Sequence, residues 1–244
     1  MLRISRHPQN LCLLILSFFL WTCAHSAVVS PERTWAVYTA EQNQNSLASR
    51  FAPAFLADGY EDSQNKIGTP SVKYKNNREE EIYMDVEKPA MYWMNRKFTT
   101  PKGTYTNLVY RIHFPEVPLS LIPFYLTAGK NPGLLFVITL DQKNRPVLVT
   151  TSGTCGCYAV TIPTRHLDKR AYPKDWDPGK PLHVYGETLP NLLDFELFEK
   201  AKLLIHLRPD VHRVMDLEVV DEAQRLGSGS QKIVRMSLLP MADL

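Results

Sequence analysis

Cysteine is scarce in this chain, four residues in 244, and two of the four, Cys12 and Cys23, lie within the first 26 residues. That scarcity excludes a disulfide-built scaffold and a zinc ribbon, which needs two C-x-x-C pairs. Neither sign of charge is in excess. The chain has 28 Lys+Arg against 25 Asp+Glu, and setting aside residues 1–26 removes Arg3 and Arg6 and no acid. The balance that remains gives no support for a nucleic-acid partner or a strongly acidic one. After residue 26 no apolar run approaches the ~20 residues of a membrane-spanning helix. Enzyme signatures are missing as well: there is no G-x-S-x-G elbow, no H-E-x-x-H, no Walker or Rossmann glycine pattern and no EF-hand loop. These absences lean the reading away from an enzyme.

The first residues do carry a signal. Arg3, Arg6 and His7 precede the apolar run Leu11 to Trp21, and Ala24-His25-Ser26 presents small residues for a signal peptidase. Residues 1–26 read as an export signal, and the rest as extracytoplasmic, periplasmic or secreted. Leu20-Trp21-Thr22-Cys23 also resembles a lipoprotein cleavage site, which would leave the protein lipid-anchored through Cys23.

Residues 27–81 read as a helical arm followed by a polar connection. Ser30 can cap a helix, Pro31 suits its first turn and Pro53 ends it, while the stretch from Asp58 to Glu81, with its charge run Lys73 to Glu81, reads as a solvated connection. Residues 82–244 read as a β-rich domain, and the apolar ending at Leu244 leaves a C-terminal truncation open. "IYMDV", "AMYWMNRKF" and "TYTNLVYRIHF" are aromatic and β-branched runs separated by turn residues. "LLFVITL" and "RPVLVTT" flank a hairpin signal at Asp141 to Asn144. "LPNLLDFELFEKA" has helix-like spacing at Leu189, Leu192, Leu193 and Leu197, and "KLLIHLRPDVHRVMDLEVV" folds back at Arg208-Pro209-Asp210. The fold class expected is β-rich α+β: antiparallel sheets, as a sandwich or meander, with an N-terminal helical arm and one short later helix.

The segment 117–129, "VPLSLIPFYLTAG", is apolar but broken by Pro118 and Pro123. It reads as a buried crossover between strands, or else as a lid or membrane-surface insertion in which Phe124 and Tyr125 make the contacts. A partner of that kind would be a lipid surface or another component of the cell envelope.

With residues 1–26 removed, Cys155 and Cys157 have only each other to pair with, one glycine apart. A bridge closing three residues stabilises by only about 1.6 kcal/mol through loop entropy. Stability is therefore a poor reason for the pair, and two functional readings follow. Both thiolates could hold a soft metal, Cu(I) or Zn(II), completed by His113 or His183, with His206 and His212 as a second pair if they are opposed across a hairpin. Alternatively the pair is a thiol redox site, although no lysine or arginine lies within five residues to lower a thiol pKa. The rival to both is a non-catalytic cell-envelope binding module in which Cys155 and Cys157 form a structural bridge. Tyr83, Tyr92, Trp93, Tyr105 and Tyr110 alternate as a packed sheet would, and can also stack on flat ligands.

Overall fold

Short runs of aromatic and β-branched residues separated by turn residues recur through the body, and a chain of this composition buries its apolar side chains by forming strands. In the computed structural model, which describes residues 34–41, 46–76, 78–227 and 232–244, that pattern gives sixteen strands and two short helices among the described residues. In chain order they are β1 (Trp35–Ala40), α1 (Leu47–Phe51), β2 (Ala54–Asp58), β3 (Thr69–Lys75), β4 (Glu79–Asp85), β5 (Ala90–Thr100) and β6 (Gly103–His113). There follow β7 (Glu116–Val117), β8 (Gly129–Lys130), β9 (Gly133–Leu140), β10 (Pro146–Gly153), β11 (Val160–Pro163), β12 (Leu182–Val184) and β13 (Glu187–Leu189). The chain closes with β14 (Ala201–Leu207), β15 (Val214–Asp221), α2 (Glu222–Gly227) and β16 (Lys232–Pro240). The export signal, 1–26, and Cys23 lie outside the described residues.

Ten strands form one sheet in the order β11-β10-β9-β6-β5-β16-β1-β2-β14-β15. The sheet is mixed, because β16 runs parallel to both β1 and β5, and β2 runs parallel to β14. It also curls. Phe55 on β2 and Phe136 on β9 have ring centroids 5.1 Å apart although four strands separate them in the sheet order. The inner faces meet in one cluster that includes Tyr38, Phe55, Met91, Tyr110, Phe136 and Met236. A smaller cluster of Val37, Leu56, Leu204 and Val220 covers part of the outer face.

The expected helical arm is a strand where it can be seen. Residues 30–33 are outside the described part, and Trp35–Ala40 pairs with β16 on one side and β2 on the other. Val37, Tyr38 and Thr39 are strand-forming residues buried on both faces, a burial that local capping signals cannot match. Helix is confined to the five residues of α1, started by Ser46, whose Oγ accepts from Ser49 N at 3.1 Å.

The helix-like spacing at 189–201 is also not a helix. Leu193 N donates to Pro163 O and Arg165 N to Leu193 O, so the backbone is taken by an extended neighbour while Leu189 and Leu193 fill the core and Leu197 stays exposed. The short later helix, α2, lies at 222–227 instead. The polar connection 58–81 contains most of a two-stranded ribbon: β3 and β4 pair with Lys73 opposite Glu81 and Lys75 opposite Glu79, opposite charges that support a ladder with little apolar content.

Candidate functional site

Several features converge at the end of the sheet where β6 stops, β9 starts and β10 stops. The cysteine turn is anchored there by three backbone bonds: Thr154 N to Gly133 O at 2.9 Å, Gly153 N to Cys157 O at 2.8 Å and Gly156 N to Gly153 O at 2.9 Å. Gly156 has φ +79°, a conformation that suits glycine. A Cβ on Gly153 would come within 3.2 Å of both sulfurs. Cys155 and Cys157 are joined as a disulfide with Cα atoms 5.5 Å apart, inside the range a bridge tolerates. Cys155 faces solvent and Cys157 is half-buried. Sulfurs bonded to each other offer no thiolate, so metal binding at this pair requires reduction first.

The fold brings His113 to the base of this turn. It ends β6 opposite Gly133, and a Cβ on Gly133 would touch both His113 Cδ2 and Thr154 Cγ2, each at 3.0 Å. The ring is buried, stands edge-on to Tyr92, and its Nδ1 has no hydrogen-bond partner among the described residues. Burial first, and then the charge of Arg111, push its pKa down to about 4. The other histidines have their own partners. His183 Nδ1 lies 3.3 Å from Thr188 Oγ1 across the β12–β13 hairpin. His206 Nε2 lies 2.9 Å from Glu218 Oε1.

His206 and His212 are not opposed. His206 pairs with Asp216, and His212 sits in the connecting turn with φ 55°. The turn is longer than the three residues that opposition requires, so the two rings go to different surroundings. His212 Nε2 contacts Glu116 O at 2.8 Å, and burial holds its pKa down at about 4. Among the described residues no three His, Cys, Asp or Glu side chains gather as a metal cluster.

A cluster that the sequence did not announce lies beside the turn. Glu187, 5 % exposed, accepts from Arg208 Nη2 at 2.6 Å and from Arg213 Nε at 2.6 Å, with a further bond from Arg208 Nε. Burial alone would raise the Glu187 pKa, but the two guanidiniums outweigh it and hold the carboxyl below its usual range. Arg213 also lies over the Tyr158 ring at 5.8 Å, and Tyr158 meets Tyr185 edge-on at 4.7 Å. The local signal for this arrangement is Tyr185-Gly186. With φ of 50° and 84° it forms the two-residue turn that reverses β12 into β13 and aims Glu187 inward. His183, Tyr185 and Glu187 therefore do not share one strand face.

The apolar segment is on the surface. Leu119 is 82 % exposed, Leu121 75 %, Ile122 95 %, Phe124 65 % and Leu126 81 %, so the buried-crossover reading fails. Its base is closed by β7 pairing with β8, and a bridge joins Leu121 to Phe124. Tyr125 faces away from the exposed set. Its hydroxyl donates to Asp210 Oδ2 at 3.4 Å, and Asp210 Oδ1 is also held by Gln64 Nε2 at 3.3 Å. Phe124 is thus available for contact, while Tyr125 ties the loop to the β14–β15 turn. Val72, Tyr74 and Ile82 on the β3–β4 ribbon and Tyr185 are exposed too, and Asn131 Nδ2 bonds Ile82 O to fix the ribbon beside β8.

No protein-family model, no curated protein and no solved structure matches the chain.

Proposed function

We propose that the protein is a non-catalytic, exported binding module that docks on a lipid surface of the cell envelope through the loop 117–128. The observation that carries this reading is the exposure of five large apolar side chains within eight residues, on a loop whose base is closed by a strand pair and whose Tyr125 is anchored. Residues 117–128 contain no charged side chain. Exposure of this density on a folded loop marks a contact surface. Its composition, four aliphatic residues and one phenylalanine, suits the acyl boundary of a bilayer better than a protein interface, where tyrosine, tryptophan and arginine are enriched. In this reading Cys155–Cys157 is a local staple that fixes Tyr158 beside Arg213. The soft-metal alternative needs the reduced pair and a third ligand, for which His113, at the base of the cysteine turn, is the candidate.

The test is flotation of the purified protein with vesicles of phosphatidylcholine and phosphatidylglycerol. The double variant Leu121→Ser, Phe124→Ser should lose vesicle association while its thermal midpoint stays near that of the wild type, because both side chains are already in water. If the wild type fails to float, or the double variant floats equally well, the reading is wrong. Capture of a protein partner by the loop with no lipid association would overturn it as well.

A further inference from the structure

The opposite end of the curled sheet, where β10 begins, holds two adjoining clefts. One, about 490 Å³, is floored by the polar continuation of the inner sheet face. Trp93, Asn95 and Lys97 alternate along β5, and Thr104, Thr106 and Leu108 lie across from them on β6, so all project to the same side. Gln142 and Asn144 from the β9–β10 turn close the rim. The second cleft, about 760 Å³, is lined by Arg50, Arg145, Lys200 and Lys202 against Glu199 and Glu222, with Phe51, Phe195 and Phe198 as its apolar wall. Ser46 and Asn144 line both clefts, so they meet there. Both volumes fall in the range of small-molecule sites.

The two halves differ in chemistry. In the smaller cleft a half-buried indole, with Leu47, Ala48 and Leu108, supplies apolar surface, and amides, hydroxyls and the Lys97 ammonium supply donors and acceptors around it. A polyhydroxylated ring has the same profile: polar edges, and one face of C–H groups that packs on an aromatic plane. In the larger cleft some of the positive charge is already neutralised. Arg145 is held by Asp141, and the buried Lys202 by Glu222 at 3.3 Å. Arg50 and Lys200 have no carboxylate partner among the ion pairs of the described residues, and the Arg50 guanidinium rests 5.1 Å from the Phe51 ring centroid. Glu199, in the same lining, also has no ion-pair partner among the described residues, but with Lys97 in the smaller cleft the cations of the joined site outnumber its carboxylates, and that excess favours an acidic group on the occupant.

We propose that the joined clefts are a binding site for an acidic oligosaccharide. One sugar ring rests on Trp93 within hydrogen-bonding reach of Asn95, Thr106 and Gln142, and a carboxylate or sulfate further along the same molecule meets Arg50 and Lys200. This site is independent of the lipid-docking loop and stands or falls without it.

Titration of the tryptophan emission of the purified protein tests the site, using trigalacturonate, a sulfated chondroitin tetrasaccharide and, as the neutral control, maltotetraose. Saturable binding of at least one acidic oligomer is expected, with the neutral one bound more weakly. The double variant Arg50→Glu, Lys200→Glu should weaken acidic binding by about tenfold or more, which corresponds to about 1.4 kcal/mol, and Asn95→Ala, Gln142→Ala should weaken it with an unchanged thermal midpoint. All four side chains are exposed, so the variants are expected to fold, and the midpoint verifies it. The proposal is overturned if no acidic oligomer binds, if neutral and acidic oligomers bind alike, or if binding survives both double variants.

Discussion

The imidazole of His212 lies flat on the ring of Phe114, 4.1 Å between centroids and 7° between planes, with its Nε2 against Glu116 O. Phe114 and His212 thereby tie the end of β6 to the β14–β15 turn in a buried, uncharged contact. Both His212 and His113 are held near pKa 4 by burial, well below the ordinary histidine value. The unfolded chain takes up protons on these residues below about pH 6.5, whereas the folded chain resists until about pH 4. Stability is therefore present above pH 6.5 and falls as the pH drops towards 4, with each histidine contributing a slope of up to about 1.4 kcal/mol per pH unit. Urea midpoints between pH 4 and 7.5 should show this decline, and His212→Gln should make it shallower. A midpoint that is flat over the range would contradict the assignment.

Removal of the Glu187 carboxylate should be more damaging than its single position suggests. Arg208 and Arg213 both depend on it, so Glu187→Ala leaves two guanidiniums without their anion in a partly buried site, a loss on the order of 3 kcal/mol. Glu187→Gln, which keeps shape and hydrogen bonding, should lose less. Chemical denaturation of the two variants gives the comparison, and equal losses would show that charge alone, rather than shape or hydrogen bonding, holds the cluster.

For the cysteine pair the expected change in stability is small. Cys155→Ser or Cys157→Ser should lower stability by no more than about 1.6 kcal/mol, the loop-entropy limit for so short a ring. A free-thiol count on the denatured wild type should find Cys155 and Cys157 oxidised. Stoichiometric Cu or Zn on the gently reduced protein, absent from both serine variants, would instead favour the metal reading.

Phe55 and Phe136 provide a direct measure of how much the curl of the sheet matters. Phe136→Ala removes a fully buried ring that joins two otherwise distant strands, and should destabilise by about 3–5 kcal/mol. Exposed Phe98, by contrast, stacks only on Tyr105, and Phe98→Ala should stay within about 1 kcal/mol. Thermal unfolding of both variants tests the ranking.

The middle of the fold was legible in the sequence because its cues are local. β5, β6, β9 and β10 are each rich in aromatic and β-branched residues and bounded by turn residues, and the 141–144 hairpin shows in the bond from Asp141 N to Arg145 O. What was not legible depends on distant partners. β1 becomes a strand because β16 arrives beside it from the far end of the sequence, and the 189–201 segment stays extended because Pro163 and Arg165 take the backbone of Leu193. In the site, the Cys155–Cys157 bridge was one of three readings open from the sequence, beside a soft-metal site and a redox pair. The Glu187 cluster could not be read there, since its three members come from two separate hairpins. Nor could the exposure of 119–126, because composition says how apolar a segment is but not which side of it meets water.

The position of β16 sets an order on how the protein can assemble. It is the last strand in sequence among the described residues, yet it lies in the interior of the sheet, between β5 and β1, with Ser237 paired to Ala90 on one side and Ala36 to Lys232 on the other. Until those residues have been made, β5 and β1 each present an open ladder edge to the same gap, and no ladder hydrogen bonds join the two halves of the sheet there. Pairings between such remote segments are slow to form, since a long loop must close before any contact rewards it. A chain emerging from its N-terminus therefore keeps these two facing edges open until β16 is free to pair with both.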